Sequence, residues 1–118
     1  MNLIGVNNLE NARKFYEDIL GFEIIEYKPP SFMEAKLPDG SIYNIETQSD
    51  ERAEGFKEMH VGGIKSCVFM VDDINGFAQY CRDNNVKIIW EPVLQSFGWW
   101  TMRIADPDGN EFNIEQET

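Results

Sequence analysis

The sequence predicts an α+β fold in which two tandem βαβββ modules form a curved mixed sheet around a cleft, with the helices outside. The first observation is a repeat: residues 38–46 read Pro-Asp-Gly-Ser-Ile-Tyr-Asn-Ile-Glu, and residues 107–115 read Pro-Asp-Gly-Asn-Glu-Phe-Asn-Ile-Glu. Each copy predicts a tight Asp-Gly turn followed by a strand that alternates apolar and polar residues. The second observation is a repeated junction, Val6-Asn7-Asn8-Leu9 and Val71-Asp72-Asp73-Ile74. Two landmarks in the same order indicate a duplicated module.

Module one (residues 1–47) contains the pattern of one helix and four strands. An amphipathic helix is predicted from Leu9 to Leu20, because apolar residues recur at intervals of three and four, with Asn7-Asn8 as its N-cap and Gly21 as its end. Pro29-Pro30 separates two of the strands. The predicted strands are Asn2–Val6, Phe22–Tyr27, Ser31–Leu37 and Ile42–Thr47.

Module two (residues 61–118) follows a polar linker at residues 48–60 and repeats this plan within one domain. Its helix begins after Asp72-Asp73 and ends at Asn84-Asn85, and the additional residues of this module are placed in a long loop, Glu91–Gly98. The predicted strands are Ile64–Val71, Val86–Trp90, Trp99–Ala105 and Glu111–Glu115. One helix cannot cover both faces of a curved sheet, so we expect the two concave faces to enclose a cleft.

Composition restricts the classes of function. A chain of 118 residues with 42% hydrophobic and 13% aromatic residues is expected to fold as one domain. A net charge of −11 argues against nucleic acid and anionic membranes as partners, and mildly favours cationic ligands. The two cysteines lack metal-binding spacing, and no signal peptide or membrane span is expected. These features predict a cytoplasmic protein.

Two stretches carry a family resemblance. Residues 9–22, from Leu-Glu-Asn-Ala-Arg-Lys-Phe-Tyr to Gly-Phe, and residues 98–115, from Gly-Trp-Trp-Thr to Asn-Ile-Glu, are similar to the signature stretches of the vicinal oxygen chelate superfamily. That superfamily includes glyoxalase I, bleomycin and fosfomycin resistance proteins, and extradiol dioxygenases. The resemblance implies the fold but does not determine the function, because one fold hosts many activities.

The resemblance also implies where a metal would bind. Enzymes of the superfamily hold a divalent metal with four side chains, two from each module, usually His, Gln or Glu. The corresponding positions in this sequence are Met1, Asn44, Ser66 and Asn113. These weak neutral donors do not offset the cost of removing water from a dication. We therefore expect no metal and no other cofactor, and His60, in the linker, is expected to have no site role.

Two carboxylates near these positions leave an alternative open. Glu46 and Glu115 follow Asn44 and Asn113 by two residues and so share their strand faces. A displaced carboxylate pair could bind a cation or act as acid and base. We favour slightly the interpretation that both are solvated carboxylates at exposed strand ends.

Alternation along the seventh strand completes the candidate site. The more apolar set, Trp100, Met102 and Ile104, is expected to pack on a helix, and the other set faces the cleft. The predicted ligand-binding residues are Asn44, Glu46, Ser66, Trp99, Thr101, Arg103, Asn113 and Glu115, with Phe32, Trp90 and Phe97 at the rim. The tryptophans suggest a stacking platform. Arg103 could pair with Glu115 or Glu46, which would leave an acidic cleft that favours cations, or could hold an anionic group.

Three functions are compatible with these residues. The favoured one is a metal-free protein that resembles bleomycin resistance proteins and binds a flat small molecule, for which the acidic balance favours a positive charge. This resemblance carries an association with antibiotic resistance, and no catalytic residue is predicted. The alternatives are a metal-dependent enzyme of the glyoxalase or dioxygenase type, and a non-catalytic interaction or regulatory domain. The resemblance also implies a homodimer.

Overall fold

In the computed structural model, which describes residues 2–38, 40–47 and 67–117, module one forms a four-stranded sheet with one helix. The strands follow the sheet order β1-β4-β3-β2, with β1 parallel to β4 and the other neighbours antiparallel. The elements are β1 (Asn2–Gly5), helix α1 (Leu9–Arg13), a π-helical turn that continues it (Lys14–Ile19), β2 (Glu23–Lys28), β3 (Phe32–Lys36) and β4 (Ile42–Glu46).

Module two repeats this arrangement strand for strand. Its sheet order is β5-β8-β7-β6, again with one parallel pair, β5 with β8. The elements are β5 (Cys67–Met70), helix α2 (Ile74–Asp83), β6 (Lys87–Leu94), β7 (Trp100–Ala105) and β8 (Glu111–Gln116). The chain is therefore α+β with two tandem βαβββ modules, as predicted. The sequence predicted a curved mixed sheet, and the described strands form two four-stranded mixed sheets, one in each module.

The chain divides into two compact units. Among the described residues, the first unit contains module one together with Pro107–Asn110, the turn between β7 and β8, and the second unit contains the rest of module two. The predicted linker 48–60 and three predicted positions, Met1, His60 and Ser66, lie outside the described residues. In the described part of the chain, no helix is long and apolar enough to cross a membrane.

The first helix has the predicted extent but a different geometry at its end. Asn8 caps it by accepting a hydrogen bond from the amide of Asn11 at 2.9 Å. From Lys14 onward the helix widens to π geometry, in which the amide of Leu20 donates to the carbonyl of Phe15. Tyr16 is thereby buried and stacks on Phe22 at 5.8 Å. The apolar spacing carries no signal for this widening.

The predicted loop Glu91–Gly98 is wrong over its first half. Strand β6 continues to Leu94, and the register between β6 and β7 shifts twice, between Ile88 and Trp90 and between Trp90 and Val93. Such bulges accommodate additional residues within a strand. A tight turn then closes the hairpin, with Gly98 at φ +95° donating its amide to the carbonyl of Gln95. The additional residues of module two thus lie in a bulged strand.

Each sheet buries one face under its helix. In the second module, Met102, Ile104, Phe112 and Ile114 are fully buried together with Ile74, Ala78 and Cys81 of α2. Phe69 of β5 contacts the rings of Phe77 and Phe112 at 5.9 and 6.1 Å. The neighbouring residues on these strands point to the opposite face, which we call the open face of the sheet.

The glycines of the two Pro-Asp-Gly turns share a left-handed conformation. Gly40 and Gly109 adopt φ +89° and +87°, which favours glycine in both copies. The second turn makes side-chain contacts within the first unit: Asn110 is 0% exposed and donates to the carbonyl of Gly5 at 3.0 Å. Asp108 accepts from the Asn7 carboxamide at 2.8 Å. The second turn therefore holds the end of β1 in place.

Replacing Asn110 tests this contact. We expect Asn110→Ala to lower the free energy of unfolding by about 1–3 kcal/mol, because the buried Gly5 carbonyl loses its donor. Urea denaturation gives the value. The matched control is Asn84→Ala, which removes an exposed carboxamide that donates to the Tyr80 carbonyl and should cost about 0.5 kcal/mol or less. Equal losses in the two variants would contradict the structural role of Asn110.

Candidate functional site

The predicted site residues of module two lie in two rows across the open face of the second sheet. Strand pairing aligns Val68, Asn113, Arg103 and Trp90 in one row. The next row aligns Met70, Glu115, Thr101 and Val93. Each row thus places two of the predicted polar residues between exposed apolar side chains of the outer strands.

Arg103 is held by three neighbours, and we call these four residues the Arg103 clamp. Its Nε donates to Oδ1 of Asn113 at 2.8 Å, and its Nη1 donates to Oε1 of Glu111 at 3.1 Å. Its Cζ lies 4.4 Å from the ring centre of Trp90. The side chains of Arg103 and Glu111 are only 14% and 17% exposed, so this ion pair is poorly screened by solvent.

The partner of Arg103 differs from the two that the sequence suggested. Neither Glu115 nor Glu46 pairs with it; the ion pair is with Glu111. Asn113 lies directly opposite Arg103, and Glu111 and Glu115 share its strand face two residues before and after it. Register therefore permits either pairing, and the Arg103 side chain extends towards Glu111. Sequence reasoning missed Glu111, although alternation along β8 would have placed it there. Trp90, predicted only at the rim, belongs to the clamp.

Trp99, one of the tryptophans predicted to form a stacking platform, does not belong to the clamp. Trp99 immediately precedes β7 and is half-buried, and its carbonyl accepts from the amide of Gln95 at 2.8 Å. Its side chain makes no hydrogen bond or ring contact with the residues that the structure describes. Thr101, which is buried, accepts from the side chain of Gln95 at 2.8 Å. The contact between an indole and the polar row is therefore made by Trp90.

The predicted residues of module one lie on the corresponding face of the first sheet. Asn44 is paired with Leu3 and Glu34, and Glu46 is paired with Phe32. The prediction of solvated carboxylates at exposed strand ends is wrong for Glu46, which is 7% exposed, and Glu115 is half-buried. The chain stays bonded beyond the end of β4, because the Glu46 carbonyl accepts from the Val6 amide and Thr47 donates its hydroxyl to the Pro30 carbonyl.

The donor set does not fit a divalent metal at the position that the resemblance implies. The Asn113 oxygen, which would face the metal, already accepts from the Arg103 guanidinium at 2.8 Å. A dication bound to the same oxygen would have to compete with this charge-assisted hydrogen bond, and a carboxamide is a weak neutral ligand for it. Among the residues the structure describes, no group of three or more His, Cys, Asp or Glu side chains is placed to hold a metal.

Cys81 is a core residue and is not suited to be a nucleophile. It is fully buried on the inner side of α2, and this burial raises the pKa of its thiol to about 11. A thiol with that pKa is protonated at neutral pH, whereas nucleophilic attack requires the thiolate. We assign Cys81 to packing between α2 and the second sheet.

Comparison with known proteins identifies the family. The model of the Glyoxalase/Bleomycin resistance protein/Dioxygenase superfamily matches residues 2–114. A superfamily member from Sphaerobacter thermophilus DSM 20745 is 24% identical, with a TM-score of 0.79 over 98% of this chain and 93% of that one. Lactoylglutathione lyase from Agrobacterium tumefaciens is 19% identical, with a TM-score of 0.78 over 98% and 90%.

A family enzyme from Burkholderia phytofirmans PsJN is 20% identical, with a TM-score of 0.81 over 98% of this chain and 95% of that one. No curated protein matches the sequence. Structural similarity at these identities shows the fold alone, whereas the family model covers nearly the whole chain. The chain therefore belongs to the Glyoxalase/Bleomycin resistance protein/Dioxygenase superfamily.

Proposed function

We propose that this chain is a metal-free binding protein of the bleomycin resistance type, which holds a flat organic cation on the open face of its second sheet. The observation that carries the proposal is the Arg103 clamp. Because the guanidinium binds the Asn113 oxygen, the usual metal position offers an occupied carboxamide instead of a ligand set. The remaining polar groups on this face are then available to recognise a small molecule.

The charge on this face favours a cationic ligand. Glu111 neutralises the charge of Arg103 within the clamp, so Arg103 adds no net positive charge to this face. Glu115 lies in the next row, and in the described part of the chain its carboxylate makes no hydrogen bond or ion pair. The face therefore keeps a negative charge that a ligand ammonium or iminium group can pair with.

The apolar residues around Glu115 indicate a flat ligand. Met70 and Val93 lie at the ends of its row, and Val68 and Trp90 lie at the ends of the neighbouring row, all four exposed. Arg103 already occupies one cation–π contact of the Trp90 ring. The positive group of a ligand is therefore better placed at Glu115, and its neutral rings against Trp90 and Val93.

A second candidate function, a protein-interaction domain, has one observation in its favour. Apolar side chains along β6 and the following turn are exposed by 50–68%, namely Trp90, Val93, Leu94 and Phe97. Contiguous exposed apolar residues are typical of interaction surfaces. A second copy of the chain is the partner we expect there.

A cytoplasmic location and a role in antibiotic resistance complete the proposal of a binding protein. The location rests on composition, and the role rests on the resemblance.

A double-mutant cycle tests whether Glu111 neutralises the charge of Arg103 within the clamp. We expect Glu111→Gln to lower the free energy of unfolding by about 1–3 kcal/mol, because it leaves a poorly exposed guanidinium without its counter-charge. Adding Arg103→Met should recover part of this loss, which gives a coupling energy of about 1 kcal/mol or more between the two sites. Urea denaturation of both single variants and the double variant provides the cycle.

The control for this cycle is the exposed ion pair of Arg82 with Glu91, whose side chains are 46% and 59% exposed. Glu91→Gln should cost about 0.5 kcal/mol or less. If Glu111→Gln and Glu91→Gln have the same small effect, or if the cycle is additive, the clamp does not hold the charge of Arg103.

Fluorescence anisotropy with a planar cation tests the binding site. We expect proflavine, which is cationic at pH 7, to bind with saturation, and neutral acridine to bind more weakly. Glu115→Gln should weaken proflavine binding about tenfold, which corresponds to one lost charge contact of about 1.4 kcal/mol. Glu117→Gln, an exposed carboxylate just beyond β8, should leave binding unchanged. Failure to saturate at high micromolar protein, or equal effects of the two variants, would count against the proposal.

A further inference from the structure

A concave pocket lies within the first unit. It has a volume of about 370 Å³ and is bounded by three segments, residues 7–10 at the start of α1, residues 27–30 at the end of β2, and Thr47 after β4. Pockets of this volume are within the range that binds small organic molecules. We propose that this pocket binds an organic ammonium ion that carries a small ring.

The walls of the pocket are held in place by hydrogen bonds of their polar groups, made to one another and to neighbouring residues. The Asn7 carboxamide donates to Asp108 at 2.8 Å, and Asn8 accepts from the Asn11 amide at 2.9 Å. Thr47 donates its hydroxyl to the Pro30 carbonyl, which ties the end of β4 to the β2–β3 connection. Because these groups already have partners, a ligand meets a preformed cavity, and the entropy cost of ordering its walls is reduced.

One charged group among the lining residues remains for a ligand. The carboxylate of Glu10 is exposed and makes no hydrogen bond or ion pair with the described residues. Two nearby cations are already paired: Arg13 binds Glu17 at 3.0 Å and lies against the Tyr27 ring at 4.4 Å from its centre, and Lys28 binds Glu26 at 3.2 Å. The charge that Glu10 places at the pocket therefore selects a cation.

The remaining lining selects a small ring. Tyr27 presents an aromatic ring, and Pro29 and Pro30 present two saturated rings without backbone donors. Leu9, which is buried, adds an aliphatic surface. These side chains have apolar faces that a phenyl or comparable ring can contact, while its ammonium group reaches Glu10.

An NMR titration of the full chain tests the proposal, with 2-phenylethylammonium chloride as the probe. We expect saturating shifts of the Leu9, Glu10 and Thr47 amides, with a Kd on the order of 1 mM for a ligand of this size. Neutral 2-phenylethanol should bind several-fold more weakly. Glu10→Gln should weaken binding of the ammonium probe about fivefold, as expected for one exposed charge contact.

The matched control is Asp18→Asn, which removes an exposed carboxylate from the π-helical turn outside the pocket and should leave the Kd unchanged. A well-dispersed spectrum of each variant shows that the fold is retained. The proposal is overturned if these three amides show no saturating shift, if Glu10→Gln and Asp18→Asn have the same effect, or if the neutral alcohol binds as tightly as the ammonium ion.

Discussion

The contact between the Arg103 guanidinium and the Asn113 carboxamide governs the chemistry available to the second sheet. It places a fixed positive charge on the oxygen at the usual metal position, and Glu111 and Trp90 hold that charge from two further directions. Removing one partner of a partly buried ion pair destabilises the fold, because the remaining charge is left without a counter-charge. The clamp therefore makes the chemistry of this face different from that of metal-dependent enzymes with the same fold.

The strand order of the second sheet explains how the clamp is built. Strand β7 lies between β6 and β8, so a single residue at its centre is flanked on one side by Trp90 and on the other by Asn113. The bulges in β6 set which residue of that strand meets Arg103. The second Pro-Asp-Gly turn, which connects β7 and β8, is in turn anchored on Gly5 and Asn7 by Asn110 and Asp108.

Sequence reasoning predicted the features that repeat and missed those that depend on register. The repeated turn and junction predicted both modules, and alternation placed Thr101, Arg103, Asn113 and Glu115 on one strand face. The bulges of β6, the π geometry after Arg13 and the burial of Glu46 were missed, because each depends on how neighbouring segments pair or pack. The same holds for the choice of Glu111 over Glu115 as the partner of Arg103, because both carboxylates share the strand face of Asn113 and the direction of the Arg103 side chain selects one of them.

We infer that the Arg103 clamp occupies the position at which a metal-dependent relative would bind its ion. The most direct measurement is inductively coupled plasma mass spectrometry of protein purified without chelator and then dialysed against zinc, nickel, manganese or iron(II). We predict a metal content well below one ion per chain for every metal. One tightly held divalent ion per chain would contradict this inference, because a dication would have to compete with the Arg103 guanidinium for the Asn113 oxygen.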